Sequence, residues 1–259
     1  MNIKLAILIA LVVVIGFVAC SMRLLSTQTP EKNMKKEELA IVTHIRCVEI
    51  VQNVTIFFVK GIVQNNYTIN MRDVNVTAIF YDAENKTVWK AYSYTALTIV
   101  KHGQRSPFEI SVSSPKGNYS YFLTAVGTET DENPPNGLQV VNSSNSTSIG
   151  GYYKIFGEVL NKERWRAIYV RVICAFYDSE GSIIALSQTF TSPNSIDAGS
   201  KGSFEINLMV EDMMEPLDSF ELFVVAHHYE VEFLGNYVLL FILVLALLVF
   251  IVYMKRKGW

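Results

Sequence analysis

The chain has 259 residues, half of them apolar, a formal net charge of −2 and three cysteines. That length holds one large or two small domains, and the apolar share points toward a membrane. The near-neutral charge excludes the basic footprint of a nucleic-acid binder.

The chain begins Met1-Asn2-Ile3-Lys4 and then runs apolar from Leu5 to Cys20. This length suits a secretory h-region or a short signal anchor, so residues 1–25 read as one or the other. Cleavage after Ser21 places Ala19 and Ser21 at the small-residue positions, whereas Val18-Ala19-Cys20 is an imperfect lipobox with Phe17 where Leu is usual. Retention, cleavage and lipidation at Cys20 remain open, and each puts the following residues outside the cytoplasm. Residues 26–44 read as a juxtamembrane segment.

Between the two apolar ends lie seven N-x-S/T triplets, at Asn53, Asn66, Asn75, Asn85, Asn118, Asn142 and Asn145. With 17 Asn and 35 Ser plus Thr in the chain, random placement gives roughly two or three. The excess points to N-glycans. Of the cysteines, Cys47 and Cys174 lie in this region, too few for the disulfide framework of a small secreted domain. Glycosylation signals without disulfides fit an archaeal cell envelope.

The same region repeats itself at an offset of 96 residues. Gly61, Val63 and Asn65 return as Gly157, Val159 and Asn161; Phe80-Tyr81-Asp82 returns as Phe176-Tyr177-Asp178; Gly103 returns as Gly199; and Phe108-Glu109-Ile110 returns as Phe204-Glu205-Ile206. A short insertion then aligns Tyr121 and Leu123 with Phe220 and Leu222. Within each copy apolar residues alternate, Val74, Val76, Ala78 and Phe80 in the first and Val170, Val172, Cys174 and Phe176 in the second, which predicts half-buried strands. Asp82-Ala83-Glu84-Asn85 and Asp178-Ser179-Glu180-Gly181 supply the Asp and the αL-tolerant Asn or Gly of tight turns.

Short strands between Gly, Asn, Pro and Asp, with no amphipathic helix, predict an all-β ectodomain. Its architecture is two tandem antiparallel immunoglobulin-like β-sandwiches. Their spans are 45–126 and 151–230, the second with an alternative start near 139, joined by a Pro- and Ser/Asn-rich linker at 127–150.

The pattern G-x-V-x-N, an alternating strand ending in F-Y-D, a small turn, a Gly and then F-E-I resembles the FxLYD domain family, with Phe for the usual Leu in both copies. The likeness covers roughly residues 45–126 and 140–226. It implies a non-catalytic, extracytoplasmic module of prokaryotic envelope proteins.

Tyr237 to Met254 carries no charge, and Lys255, Arg256 and Lys257 follow. Eighteen helical residues reach about 27 Å, close to the roughly 30 Å hydrocarbon core. Residues 233–254 therefore read as a transmembrane helix and 255–259 as a basic cytoplasmic tail, leaving the bulk of the chain outside the cell membrane.

For chemistry, His228, Glu230 and Glu232 share one face of a strand, but an ordinary juxtamembrane stalk explains them better than zinc. Asp82 and Asp178 read as turn residues. Cys174 aligns with Ala78 on the inward face and reads as a small buried hydrophobe. Glu211-Asp212-Met213-Met214-Glu215 reads as a solvated loop. Arg164, Trp165 and Arg166 have the composition of an interaction hot spot.

No nucleotide fingerprint is present, and catalytic residues, metal and cofactor are each expected to be none. The chain reads as a non-catalytic binding or scaffolding protein of the envelope, in contact with the lipid bilayer and a protein partner. The alternatives are an accessory subunit of a larger membrane complex and, remotely, an enzyme with an unrecognised site.

Overall fold

The computed structural model describes residues 35–51, 54–113, 119–134, 137–147, 152–209 and 216–230, together with Tyr253 and Arg256. The signal or anchor segment 1–25 lies outside the described residues, and so does the transmembrane segment 233–254 except for Tyr253. No helix among the described residues is long and apolar enough to cross a membrane.

Apart from those two positions the described chain is strands and their connections. The first copy supplies β1 (Lys36–Val51), β2 (Val54–Gln64), β3 (Asn70–Tyr81), β4 (Thr87–Tyr94), β5 (Ile99–Val100), β6 (Arg105–Ser113) and β7 (Ser120–Thr130). The second supplies β8 (Leu138–Thr147), β9 (Tyr152–Asn161), β10 (Arg166–Ile168), β11 (Arg171–Tyr177), β12 (Ile183–Phe190), β13 (Lys201–Met209), β14 (Ser219–Val225) and β15 (His228–Glu230). Every pairing among these strands is antiparallel.

In the first copy the strand order is β4-β3-β7-β1-β2-β6. β1 serves both layers: Lys36 to Leu39 pair with β7, the register slips between Ile41 and Thr43, and the rest of the strand pairs with β2. A bulge of this kind bends a strand and lets it change sheets. Val59, Val63, Phe108 and Ile110 from one layer meet Val74, Val76, Ala78, Phe80 and Ala125 from the other in a single core. The second copy sets β12-β11-β14 over β13-β9-β8 as two separate sheets, its first strand β8 pairing with β9 alone, around Val159, Phe204, Ile206, Val172, Cys174 and Phe176.

The strands extend beyond the spans read from the sequence. β1 opens at Lys36 rather than at residue 45, because its first half alternates weakly and among its first five residues only Leu39 is buried. The 127–150 stretch holds the end of β7 and all of β8, whose Ser- and Asn-rich half is an exposed edge strand and carries no apolar signal.

The offset of 96 residues is structural as well as sequential. Gly61 and Gly157 sit where a Cβ would strike the Phe108 ring at 2.7 Å and the Phe204 ring at 3.0 Å. The glycine of the motif therefore lets the paired strand's aromatic ring approach the backbone closely. Gly103 and Gly199 share φ = 72°, a left-handed turn that favours glycine.

Candidate interaction surfaces

The conserved-looking polar residues of the repeat prove to be folding devices. Asn65 and Asn161 are fully buried. The Asn65 side-chain amide donates to the carbonyls of Ile69 (2.8 Å) and Val100 (2.9 Å) and accepts from the Tyr67 amide (3.0 Å). Asn161 does the same with Trp165 (2.8 Å), Ile196 (2.9 Å) and the Glu163 amide (3.0 Å). Each Asn thus ties three backbone groups of two loops into the core, where an unpaired polar group would be costly. The sequence showed the two Asn as repeat positions but not as hydrogen-bond hubs, because their partners are brought in by the fold.

Asp82 and Asp178 cap the hairpin turns, as expected. Asp82 Oδ1 accepts from the amides of Glu84 (3.0 Å) and Lys86 (2.9 Å), and Asp178 Oδ1 from those of Glu180 (2.9 Å) and Ser182 (2.8 Å). Cys174 is fully buried, and burial, aided by the negative charge of Glu221, pushes its thiol far above the ordinary value. Such a group is a packing residue, not a nucleophile.

At the corner after β9, Arg164 is exposed and its guanidinium stacks 4.5 Å over the Trp165 ring, which is half-buried. Arg166, also exposed, pairs with Asp197 at 3.2 Å. The structure therefore brings the three residues together, with Trp165 partly covered rather than fully presented to solvent. Nearby, His228 pairs with Ile168, and the His227 and His228 rings meet edge to face at 5.3 Å. Burial and Glu163 push the Tyr229 hydroxyl up to about 12. No group of three His, Cys, Asp or Glu suited to a metal occurs among the described residues. Glu232 and the acidic stretch 211–215 lie outside them.

Of the N-x-S/T sites, Asn66, Asn85, Asn142 and Asn145 are exposed, and Asn75 is half-buried on β3. Asn85 occupies the β3–β4 turn with φ = 61°. Asn142 donates to Glu158 at 2.9 Å. Asn53 and Asn118 lie outside the described residues.

A contact that the sequence did not reveal joins the two copies. Ile62 of β2 is fully buried against Ile173, Ala175 and Tyr177 of β11, Ile183 of β12 and Phe223 of β14, with Ile45, Ala96, Leu186 and Val225 packed around them. At its edge Arg105 pairs with Glu221 (3.1 Å) and lies 5.0 Å over the Tyr177 ring, while the Tyr177 hydroxyl donates to the same carboxylate (3.0 Å). The Ile183 amide donates to Thr43 Oγ1 at 2.9 Å. The outer face of one layer in the first copy thus lies on the outer face of one layer in the second. A signal was available: β11 is apolar in both phases, and a strand buried on both faces loses its alternation.

Two outer faces are left over. That of β9 and β13 in the second copy is mixed, with the ion pairs Lys154–Glu205 at 3.1 Å and Lys201–Glu158 at 2.8 Å beside the exposed Tyr152 and Phe156. The outer face of β4, β3 and β7 in the first copy carries Tyr92, Tyr94 and Phe122, each more than half exposed.

No family model matches the chain, and no curated protein matches it. The FxLYD resemblance therefore rests on the quoted residues. Among solved structures, the chain is similar to the exo-chitosanase CsxA of Amycolatopsis orientalis, at 9% identity and TM-score 0.25 over 70% of this chain and 25% of that one. It is also similar to a β-glucuronidase from glycoside hydrolase family 2, at 10% identity and TM-score 0.21 over 60% and 20%. A mutant of Bacteroides uniformis β-glucuronidase 2 gives 11% identity and TM-score 0.19 over 66% and 26%. The chain spans about a quarter or less of the length of these enzymes, and scores this low support no inference about activity.

Proposed function

We propose that the chain is a membrane-anchored, extracytoplasmic binding or scaffolding protein of the cell envelope, non-catalytic, built from two immunoglobulin-like sandwiches of FxLYD-like pattern. The observation that carries this reading is the buried contact around Ile62, Ile173 and Phe223, which locks two β-domains face to face. A pair held this way presents a fixed set of surfaces, which is what a scaffold needs. The repeated polar residues serve turns and packing, so recognition falls to the faces and loops, the Arg164-Trp165-Arg166 corner among them. The apolar run Tyr237 to Met254 with its basic tail supports the anchor and the orientation.

Protease shaving of intact cells that express the full chain tests this topology. The expected result is loss of the sandwich region with the C-terminal tail protected and the remnant in the membrane fraction. A chain that resists protease until the cells are lysed, or that leaves the membrane in high salt, overturns the reading.

A further inference from the structure

Asn75 stands at the centre of an open face that carries three aromatic rings, Tyr92, Tyr94 and Phe122, each more than half exposed. On β3 it pairs with Tyr94 of β4 on one side and Val126 of β7 on the other. Thr77, which completes its N-x-T triplet, pairs with Tyr92 and Thr124 on the same face, and Ile79 pairs with Lys90 and Phe122. Direct cross-strand neighbours hold their Cβ atoms about 5 Å apart, so Asn75 and the rings of Tyr92 and Tyr94 form one continuous patch. Tyr92 is 67% exposed, Tyr94 58% and Phe122 57%. The Thr77 hydroxyl donates to Asn75 Oδ1 at 3.0 Å, fixing the amide on this face.

The second copy shows what happens to the equivalent face when protein covers it. Arg171 and Ile173 stand 96 positions after Asn75 and Thr77, so the acceptor triplet is gone. Ile173 is 3% exposed, buried with Phe223 against Ile62 of the first copy. The first copy covers this face of the second from Ile173 to Tyr177, while Phe190, the counterpart of Tyr94 beside Arg171, stays 56% exposed; in the first copy the whole face is open and carries a glycan acceptor amid exposed aromatics.

We propose that an N-linked glycan on Asn75 lies across the β4-β3-β7 face and covers it, as the first sandwich covers the part of the corresponding face around Ile173 in the second. Sugar rings have apolar C–H faces that sit on the negative face of an aromatic ring, and the remaining hydroxyls keep the surface in water. The first sugar is joined to Nδ2 of Asn75 and its C–H face meets the ring of Tyr92 or Tyr94. The inference rests on the extracytoplasmic reading above.

The test is site-resolved glycopeptide mass spectrometry of the full chain from its native membranes, followed by binding of a hydrophobic dye and thermal unfolding of variants made in the same cells. Asn75 is expected to be occupied. Asn75→Gln and Thr77→Val, each of which abolishes the acceptor, are expected to raise dye fluorescence at least about twofold and lower Tm by about 2–4 °C. Thr77→Ser keeps the acceptor and should match wild type, and Thr87→Val, which removes the acceptor at Asn85 without touching the left-handed turn residue, should cause neither change.

A bare Asn75 in a chain glycosylated at Asn66, Asn85, Asn142 or Asn145 overturns the proposal and leaves the topology standing. So does an occupied Asn75 whose loss changes neither readout, or a stoichiometric protein partner crosslinked to Tyr92 or Phe122. A chain with no glycan that also resists shaving of intact cells overturns both.

Discussion

β3 and β11 occupy the same place in the two copies, yet one is buried on a single face and the other on both. In β3 the inward Val74, Val76, Ala78 and Phe80 alternate with the half-buried Asn75, Thr77, Ile79 and Tyr81. In β11 every residue after Arg171 is buried, because Ile173, Ala175 and Tyr177 face the first copy. The difference is not one of fold, since cores, turns and Asn hubs coincide. It teaches that the contact between the copies rests on outward residues of two layers: Ile173 stands where the first copy has Thr77, and Ile62 stands where the second has Glu158. Those outward positions are where binding is added to such a fold.

The sharpest break of the comparison is an aspartate at each of the two equivalent positions, in protein made without glycosylation. Ile173→Asp buries a carboxylate with no partner in the contact between copies, and urea unfolding should show a loss of about 3–5 kcal/mol. Thr77→Asp lies on the open face and should stay within about 0.5 kcal/mol of wild type. Equal losses would mean that the contact around Ile62 does not persist in solution.

Next in size are the Asn hubs, where the comparison predicts sameness. Asn65→Ala and Asn161→Ala each remove two hydrogen bonds to backbone carbonyls and one from a backbone amide, although the Ile196 carbonyl keeps the Ala167 amide. Each should lose about 2–3 kcal/mol. Calorimetry should place both losses within error of each other; a loss confined to one copy would show that the copies do not share this support. The glycines should differ more. A Cβ at Gly61 meets the Thr43 carbonyl as well as the Phe108 ring at 2.7 Å, whereas at Gly157 it meets the Phe204 ring and the Ser143 Cα at 3.0 Å, a tight contact that a small shift relieves. Gly61→Ala is expected to lose about 2–3 kcal/mol and Gly157→Ala about 1, measured by the same unfolding curves.

Much of this was legible in the sequence because it depends on neighbours along the chain. The Asp82 and Asp178 turns span five residues, the inward phase of β3 is read directly from period two, and that of β11 follows from the offset of 96 residues. The contact between copies was not legible as a contact: Ile173 and Ile62 lie on different domains, and only the loss of alternation in β11 hints that a second face is covered. The first half of β1 was missed for the opposite reason. Lys36, Glu37 and Glu38 look like a solvated stalk, and their strand conformation is imposed by β7, some ninety residues away in sequence. The Arg164-Trp165-Arg166 corner was found by composition alone, which reveals nothing of the stacking of Arg164 on Trp165.

The smallest expected effect tests the ion pairs that the second copy keeps on the face where the first has Ile62. The hydrogen bonds of Lys201 and Asn142 hold the Glu158 carboxyl below its ordinary 4.5, and those of Lys154 and Asn207 do the same for Glu205. A carboxyl whose folded pKa is lowered adds stability above the unfolded value, and that share is lost as pH falls through the folded pKa. Both groups are exposed and screened, so the effect is a shallow slope and not a transition. In a series of Tm measurements from pH 6 down to about pH 3, Glu158→Gln should flatten the fall below pH 4.5 slightly, and high salt should flatten it for wild type as well. If Glu158→Gln and wild type follow one curve at low salt, the ion pairs on this face contribute nothing. Solubility would then be the reason the second copy carries Glu where the first carries Ile.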